Sequence, residues 1–194
     1  IDTKIWVPKS NFVYRKNGQF ILLVVSSHQH IKNLNGLVEA INKLSNKEQE
    51  QLKIEWYGDI RDNSLNEALT KINKYNLIKS FQFYPATNNI LVKIQESDAI
   101  GLFSFHEGLP NAVCEAMACG KPVICSSVSD NPLHICNEDL LFDPYNSDSI
   151  TKTISFLLKL SNTELTKIGK RNRLYAINTF SKEKISNSYL ELLL

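Results

Sequence analysis

Two glutamates, Glu107 and Glu115, have seven residues between them, and the turn Gly108-Leu109-Pro110-Asn111 directly follows the first. Gly108 admits a tight turn, and Pro110 presets the first turn of a helix expected from about Asn111 to Cys119. The first N–H groups of that helix, on Asn111, Ala112 and Val113, have no partner within it and are expected to point at the turn. Such a helix end is a ready anion site. Glu115 falls about five residues in, roughly 7 Å along the axis at about 1.5 Å per residue. That matches the reach from a diphosphate to the ribose of an extended nucleotide, where a carboxylate accepts both ribose hydroxyls. Glu107, ahead of the turn, would face whatever hangs beyond the diphosphate. The competing chemistry is a hydrolytic acid/base pair of carboxylates. The separation suits the length of a nucleotide better than the width of a glycosidic bond.

The elements that position this stretch alternate. Apolar or alternating runs predict strands over Phe20–Ser27, Leu52–Gly58, Ser80–Pro85, Asp98–Ser104, Pro122–Ser127 and Asp139–Asp143. Helical periodicity predicts helices over Lys32–Ser45 and Ser64–Leu77, with a short one over Asn89–Ser97. The first would bury Leu34, Leu37, Val38, Ile41 and Leu44; the second, Leu65, Leu69, Ile72 and Leu77. Gly120 is the expected stop of the helix that carries Glu115. Three further helices are expected after residue 147, with starts marked by Asn162 with Glu164 and by Ser181 with Glu183. Strands separated by such helices imply βαβ units, hence an α/β, Rossmann-like, doubly wound parallel sheet of about six strands with a helical C-terminal tail. Ligands of such sheets bind beyond the carboxyl ends of the strands.

A chain of 194 residues fits one domain. Residues 1–18 read as a linker and lead-in, and residues 161–194 as C-terminal helices. The chain begins with Ile1, which suggests a fragment or a processed chain. A formal net charge of +2 with dispersed Lys and Arg excludes the basic field of a nucleic-acid binder. The loop after the first strand, Ser-Ser-His-Gln-His-Ile-Lys-Asn, holds no glycine, so a dinucleotide fingerprint is absent; no P-loop occurs either. The four cysteines, Cys114, Cys119, Cys125 and Cys136, lack metal-ligand spacing and read as buried thiols, with Cys114 and Cys119 flanking a helix. A reducing, cytoplasmic setting is the matching expectation. His106 reads as a loop histidine near the cleft, and His134 as a packed helix residue. Asp59 and Arg61 read as a solvated loop.

The stretch Glu107-Gly108-Leu109-Pro110-Asn111, then Glu115-Ala116-Met117-Ala118, Gly120, Pro122 and Val123, resembles the E-x7-E motif of the retaining, GT-B-fold glycosyltransferases of family 4, the group 1 glycosyl transferases. Other segments agree. Lys32, Asn33, Leu37 and Ala40 are similar to the family's helix after strand one, and Gly58 to the glycine that closes strand two. Asp98, Ser104 and Glu107 match the run leading into the motif, and the opening Ile-Asp-Thr-Lys-Ile-Trp-Val-Pro resembles the interdomain linker. The resemblance covers nearly the whole chain and implies the donor-binding half of a GT-B enzyme, without its N-terminal, acceptor-binding domain.

What the resemblance implies is specific. Glu115 would hold the ribose and Glu107 would lie beside the transferred sugar, while amides from about Leu109 to Ala112 would seat sugar and diphosphate. Lys32 would offset charge on the departing diphosphate, so that no metal is needed. Glu107 and Lys32 are thus the catalytic candidates. Glu115, Gly108, Leu109, Pro110, Asn111, Ala112, Ser27, Gly58, Tyr84 and Pro85 are the binding candidates, the last two against the base. The co-substrate would be a UDP- or GDP-linked sugar. The acceptor would be a saccharide or lipid-linked molecule of bacterial cell-surface polysaccharide synthesis, bringing the full enzyme to the inner face of a membrane. The domain alone is expected to bind donor weakly and transfer nothing. Departures from the pattern are Ser27 where an Arg is common, Ser129-Asp130 for a glycine pair, Leu133 for a Glu and Lys182 for a Trp. The alternatives are a GT-B-fold nucleotide-sugar 2-epimerase domain and a non-catalytic Rossmann-like binding module.

Overall fold

A computed structural model describes residues 1–135 and 137–186. Six parallel strands, β1 (Phe20–Val25), β2 (Leu52–Tyr57), β3 (Phe81–Tyr84), β4 (Ala99–Leu102), β5 (Val123–Ser126) and β6 (Leu141–Phe142), form one sheet in the order β3-β2-β1-β4-β5-β6. The chain winds outward in both directions from β1 and β4, so the topological switch point lies between them. β1, β4 and β5 are apolar along nearly their whole length, while β2 turns the half-buried Lys53 and Glu55 to one face and Ile54 and Trp56 to the other. Leu22, Leu23, Ile54, Trp56, Ile100, Val123 and Ile124 are all buried, as expected for strands covered by helices on both sides.

The covering helices are α1 (Leu34–Asn42), α2 (Asn46–Gln51), α3 (Ser64–Lys74), α4 (Ile90–Glu96), α5 (Asn111–Ala118), α6 (Asn131–His134), α7 (Ser147–Lys159) and α8 (Asn162–Phe180). On one face α1 packs against both α3 and α7; elsewhere α5 packs against α8. Leu34, Leu37, Val38, Ile41 and Leu44 are buried as their spacing predicts. On α3, by contrast, Leu69 is 38% exposed and Ala68 takes the inward position. Two inward residues of larger volume, Leu65 and Ile72, already flank it, and a small side chain lets the helix lie close.

Several boundaries shift. The helix expected over 32–45 begins instead as a 3-10 turn, His30–Lys32, and breaks at Asn33, which has a left-handed φ of 56°. The Asn33 side chain then caps α1 by accepting from the Gly36 N–H and donates to the Pro144 carbonyl. α2 was not expected from periodicity: its six residues are all polar, and a capping box between Ser45 and Glu48 defines it. α8 begins at Asn162 as expected, but its cap is Ser161, with Glu164 closing a second capping box. Residues 182–186 continue as a helical turn; the rest of the helix expected over 181–194 lies outside the described residues.

α5 is held at its far end. Gly120 adopts a φ of 69° and stops the helix, and Gly169 of α8 crosses so closely that a Cβ there would sit 2.0 Å from the Gly120 carbonyl oxygen. Arg173 of α8 donates to the carbonyls of Ala118, Trp6 and Thr3, closing off the carboxyl end of α5 and fastening the lead-in segment. Asn172 donates to the Lys121 carbonyl. Buried Asp98 accepts from the N–H groups of Arg15 and Ile21, at 2.7 Å each, beside the start of β4 and far from its carboxyl end. That motif residue therefore serves the fold. Cys114, Cys119 and Cys125 are free and buried, with their thiols pushed up to about 11, about 12 and about 12 by burial. Cys114 lies inside α5 rather than flanking it, and Cys136 falls outside the described residues.

Candidate functional site

Beyond the carboxyl ends of β1 and β4, at the switch point, lies a cleft of about 400 Å³. Val25, Ser26, Ser27, Gln29 and Lys32 line it from the β1 side, and Leu102, Glu107, Pro110, Asn111, Ala112 and Glu115 from the β4 side. A second concavity of about 230 Å³ shares Val25, Ser26 and Ser27 with it and extends toward Tyr57, Gly58, Asp59, Ala86, Thr87 and Ile90. The two form one groove across the ends of β2, β1 and β4.

Glu107 is gripped from three directions. Its Oε1 accepts from Lys32 Nζ and from the fully buried Ser104 hydroxyl, each at 2.5 Å. The Ser129 hydroxyl donates to its backbone carbonyl at 2.5 Å and accepts from its N–H at 3.4 Å. The Lys32 and Glu107 side chains are 17% and 12% exposed, so their ion pair is shielded from water and from salt on most sides. A carboxylate committed to a lysine and a hydroxyl in this way is a weak nucleophile and a good electrostatic fixture. Ser129 holds a left-handed φ of 50°, the conformation that a glycine adopts without strain. Its hydroxyl bonds to Glu107 are what a glycine there would lack.

α5 begins at Asn111, after Pro110, whose side chain offers no cap. The Val113 N–H, expected to be open, instead donates to the Pro110 carbonyl in a tight first turn. No hydrogen bond from the N–H of Asn111 or Ala112 occurs among the described residues, and both residues line the cleft. One turn further in, the Glu115 carboxylate has no hydrogen-bond or ion-pair partner among them, while its backbone carbonyl accepts from the Cys119 N–H. Desolvation raises its carboxyl from 4.5 to about 7. An unpaired, half-buried acid one turn behind two open amides is an arrangement that the fold alone does not reward.

Other expected residues are distributed unevenly. Ser27 lines both parts of the groove, and Gln29 donates to its hydroxyl at 2.9 Å. Gly58 is dictated by proximity: a Cβ there would lie 2.0 Å from the Ser26 carbonyl oxygen, which also accepts from the Trp56 indole at 2.7 Å. Gly108 needs no special backbone, since its φ is outside the left-handed region and a Cβ there would meet nothing within 4 Å. Gly108 and the 52% exposed Leu109 stand at the rim without lining the cleft. Tyr84 stacks on Tyr57 with centroids 4.6 Å apart and donates to Gln82. Tyr84 and Pro85 do not line the groove; Ala86, Thr87 and Ile90 of the same connection do. Asp59 also reaches it, while Arg61 pairs with Asp59 at 3.6 Å in the open. His134 is partly buried beside Tyr175 and Phe180, and exposed His106 lines neither part. Gln29 carries no signal in the sequence, and Ser129 only that of replacing a family glycine, because their roles depend on contacts made across the loops.

The family pattern of glycosyl transferases group 1 matches residues 8–175, and the chain belongs to that family. Among curated proteins it is similar to O-antigen chain mannosyltransferase B of Escherichia coli, 25% identical over 143 residues, 73% of this chain and 37% of that protein. Among solved structures, Anabaena HepE in complex with UDP superposes with a TM-score of 0.87 at 18% identity, covering 100% of this chain and 55% of the other. The C-terminal domain of the group 1 glycosyl transferase LpcC from Francisella tularensis gives 0.79 at 18% identity, covering 94% and 99%. The chain thus spans about half or less of its full-length relatives and nearly the whole of a C-terminal GT-B domain.

Proposed function

We propose that this domain binds the nucleoside diphosphate sugar for a retaining glycosyltransferase. One observation carries the reading: a single groove at the switch point collects Lys32, Glu107, the open amides of Asn111 and Ala112, and unpaired Glu115 in that order. The amides and the dipole of α5 take the diphosphate. Glu115 accepts the ribose hydroxyls, which bind an ionised acceptor better than a neutral one. The side concavity by Gly58, Asp59, Ala86 and Thr87 takes the base. A UDP or GDP sugar fits this layout, and that HepE has been solved with UDP supports it.

In the reaction the bond from the sugar's anomeric carbon to the diphosphate oxygen breaks. An acceptor hydroxyl oxygen bonds to the same face of that carbon, and the acceptor proton passes to the departing phosphate oxygen. Lys32 and the α5 amides hold the charge that builds on the diphosphate, in place of a metal ion. Glu107, already bonded to Lys32 and Ser104, positions the sugar and stays non-covalent. The acceptor, a saccharide or lipid-linked molecule of cell-surface polysaccharide synthesis, binds a separate N-terminal domain, so the domain alone transfers nothing. The mannosyltransferase relative acts on O-antigen chains, in keeping with that acceptor class.

Calorimetric titration with UDP and GDP tests the reading. Binding of at least one, weakened at least tenfold by Glu115→Ala, is the expected result. Failure of every nucleotide to bind would leave the non-catalytic module as the better account. Sugar transfer by the isolated domain would contradict the division of labour.

A further inference from the structure

No helix among the described residues is long and apolar enough to cross a membrane. α8 nevertheless carries a face suited to lie on one. Lys167, Lys170, Arg171, Leu174 and Ile177 recur at three- and four-residue spacing and share one side of the helix. Leu165, Gly169, Asn172 and Ala176 occupy the opposite side and are buried, with Gly169 and Asn172 turned to the carboxyl end of α5. The three cations are exposed, and none forms an ion pair among the described residues. Leu174 is 61% exposed and Ile177 38%. The only acid in the helix, Glu164, is in the first turn, tied to the Ser161 hydroxyl and N–H by its capping box. An exposed helix face usually mixes both signs, as α3 does with Glu67, Lys71 and Lys74. Past its first turn the α8 face has one sign of charge and, within the same two turns, unburied aliphatic side chains.

We propose that this face of α8 binds an anionic lipid bilayer, with Lys167, Lys170 and Arg171 on the headgroups and Leu174 and Ile177 at the acyl boundary. Two features of the surface select lipid as the occupant. The charge is complementary to an anionic leaflet, and it comes with aliphatics rather than with the aromatics that stack on nucleic-acid bases. The face points away from α5, so a bilayer on it covers none of the cleft residues. The surface is independent of the glycosyl-transfer reading.

Vesicle co-sedimentation of the chain tests the proposal, using vesicles of phosphatidylglycerol and phosphatidylcholine in equal parts against phosphatidylcholine alone. Binding is expected only to the anionic vesicles, and it should weaken as salt rises from about 50 mM to about 500 mM. The triple variant Lys167→Gln, Lys170→Gln, Arg171→Gln should lose about 100-fold in partition coefficient. Leu174→Ser with Ile177→Ser should lose binding with less change in salt dependence. The three cations are exposed, so the urea midpoint of the triple variant should match the parent, and that of the double variant should fall only by what Ile177, 38% exposed, gives up in burial. Equal binding to neutral vesicles, no binding to either kind, an unchanged triple variant, or salt-sensitive self-association through this face would each overturn the proposal.

Discussion

Glu115→Gln should strengthen the empty domain while weakening its grip on nucleotide. Burial holds the carboxyl near 7 rather than 4.5. As pH rises, the unfolded chain therefore releases this proton first, and the folded chain follows only near 7. The folded state loses stability between those two values, and the full loss persists above them. The difference between 4.5 and about 7, at about 1.36 kcal/mol per pH unit, comes to about 3 kcal/mol. Water reaching the half-buried carboxylate reduces the expected gain on removing it to about 1–3 kcal/mol. Urea denaturation at pH 4 and pH 8.5 measures this: parent and variant should be nearly equal at the lower pH and separate at the higher. Calorimetry should move the other way, because a neutral amide replaces a charged acceptor for two hydroxyls; a loss of about 1–2 kcal/mol, roughly 5- to 30-fold, is expected at pH 8.5. Parent affinity should also rise with pH relative to the variant as the carboxyl ionises. A pH-independent stability difference would refute the electrostatic account, and unchanged nucleotide affinity would refute the ribose assignment.

Three other substitutions probe the scaffold and the groove. Lys32→Ala leaves Glu107 shielded with Ser104 as its remaining side-chain partner, so a loss of about 1–3 kcal/mol in urea unfolding is expected; calorimetry should show affinity for UDP falling more than affinity for uridine. Gly58→Ala puts a methyl group 2.0 Å from the Ser26 carbonyl oxygen; the end of β1 must move, so nucleotide affinity should drop and urea unfolding should show a loss of about 2–4 kcal/mol, as for Gly169. Gly169→Ala forces α8 off α5 against the Gly120 carbonyl and should cost about 2–4 kcal/mol in urea unfolding, with donor affinity reduced only as far as α5 shifts.

The sheet and most of the helices were legible because burial on both faces leaves continuous apolar runs, and because Leu34, Leu37, Val38 and Ile41 repeat at helical spacing. α2 was not, since a short polar helix made by a capping box has no periodicity to detect. At the site, the sequence placed Glu107 at a strand end and Lys32, Asn111, Ala112 and Glu115 in the first turns of helices, and the fold does bring them to one groove. It could not foresee that Lys32 and Glu107 pair in the empty domain, because seventy-five positions separate them. Nor could it tell Ala86 and Thr87 from Tyr84 and Pro85, a choice decided by Tyr84 turning to stack on Tyr57. Ser129 was visible only as a departure, and its left-handed backbone and bonds to Glu107 show how a serine fills that position.

The pairing of Lys32 with Glu107 also sets how the groove looks from a distance. The two charges cancel at 2.5 Å, and Glu115 near neutral pH is only partly ionised. Seen from several ångströms out, that pair adds little pull on the phosphates, nucleic acids and polyanions that crowd a cell, which leaves the α5 dipole as the main attraction at short range. Anions arrive at an ordinary diffusive rate, with weak dependence on ionic strength. On the proposed donor reading, discrimination falls to the moment of seating, when a diphosphate must offer Lys32 more than Glu107 already does. A bare phosphate that cannot also reach Glu115 has little with which to compete.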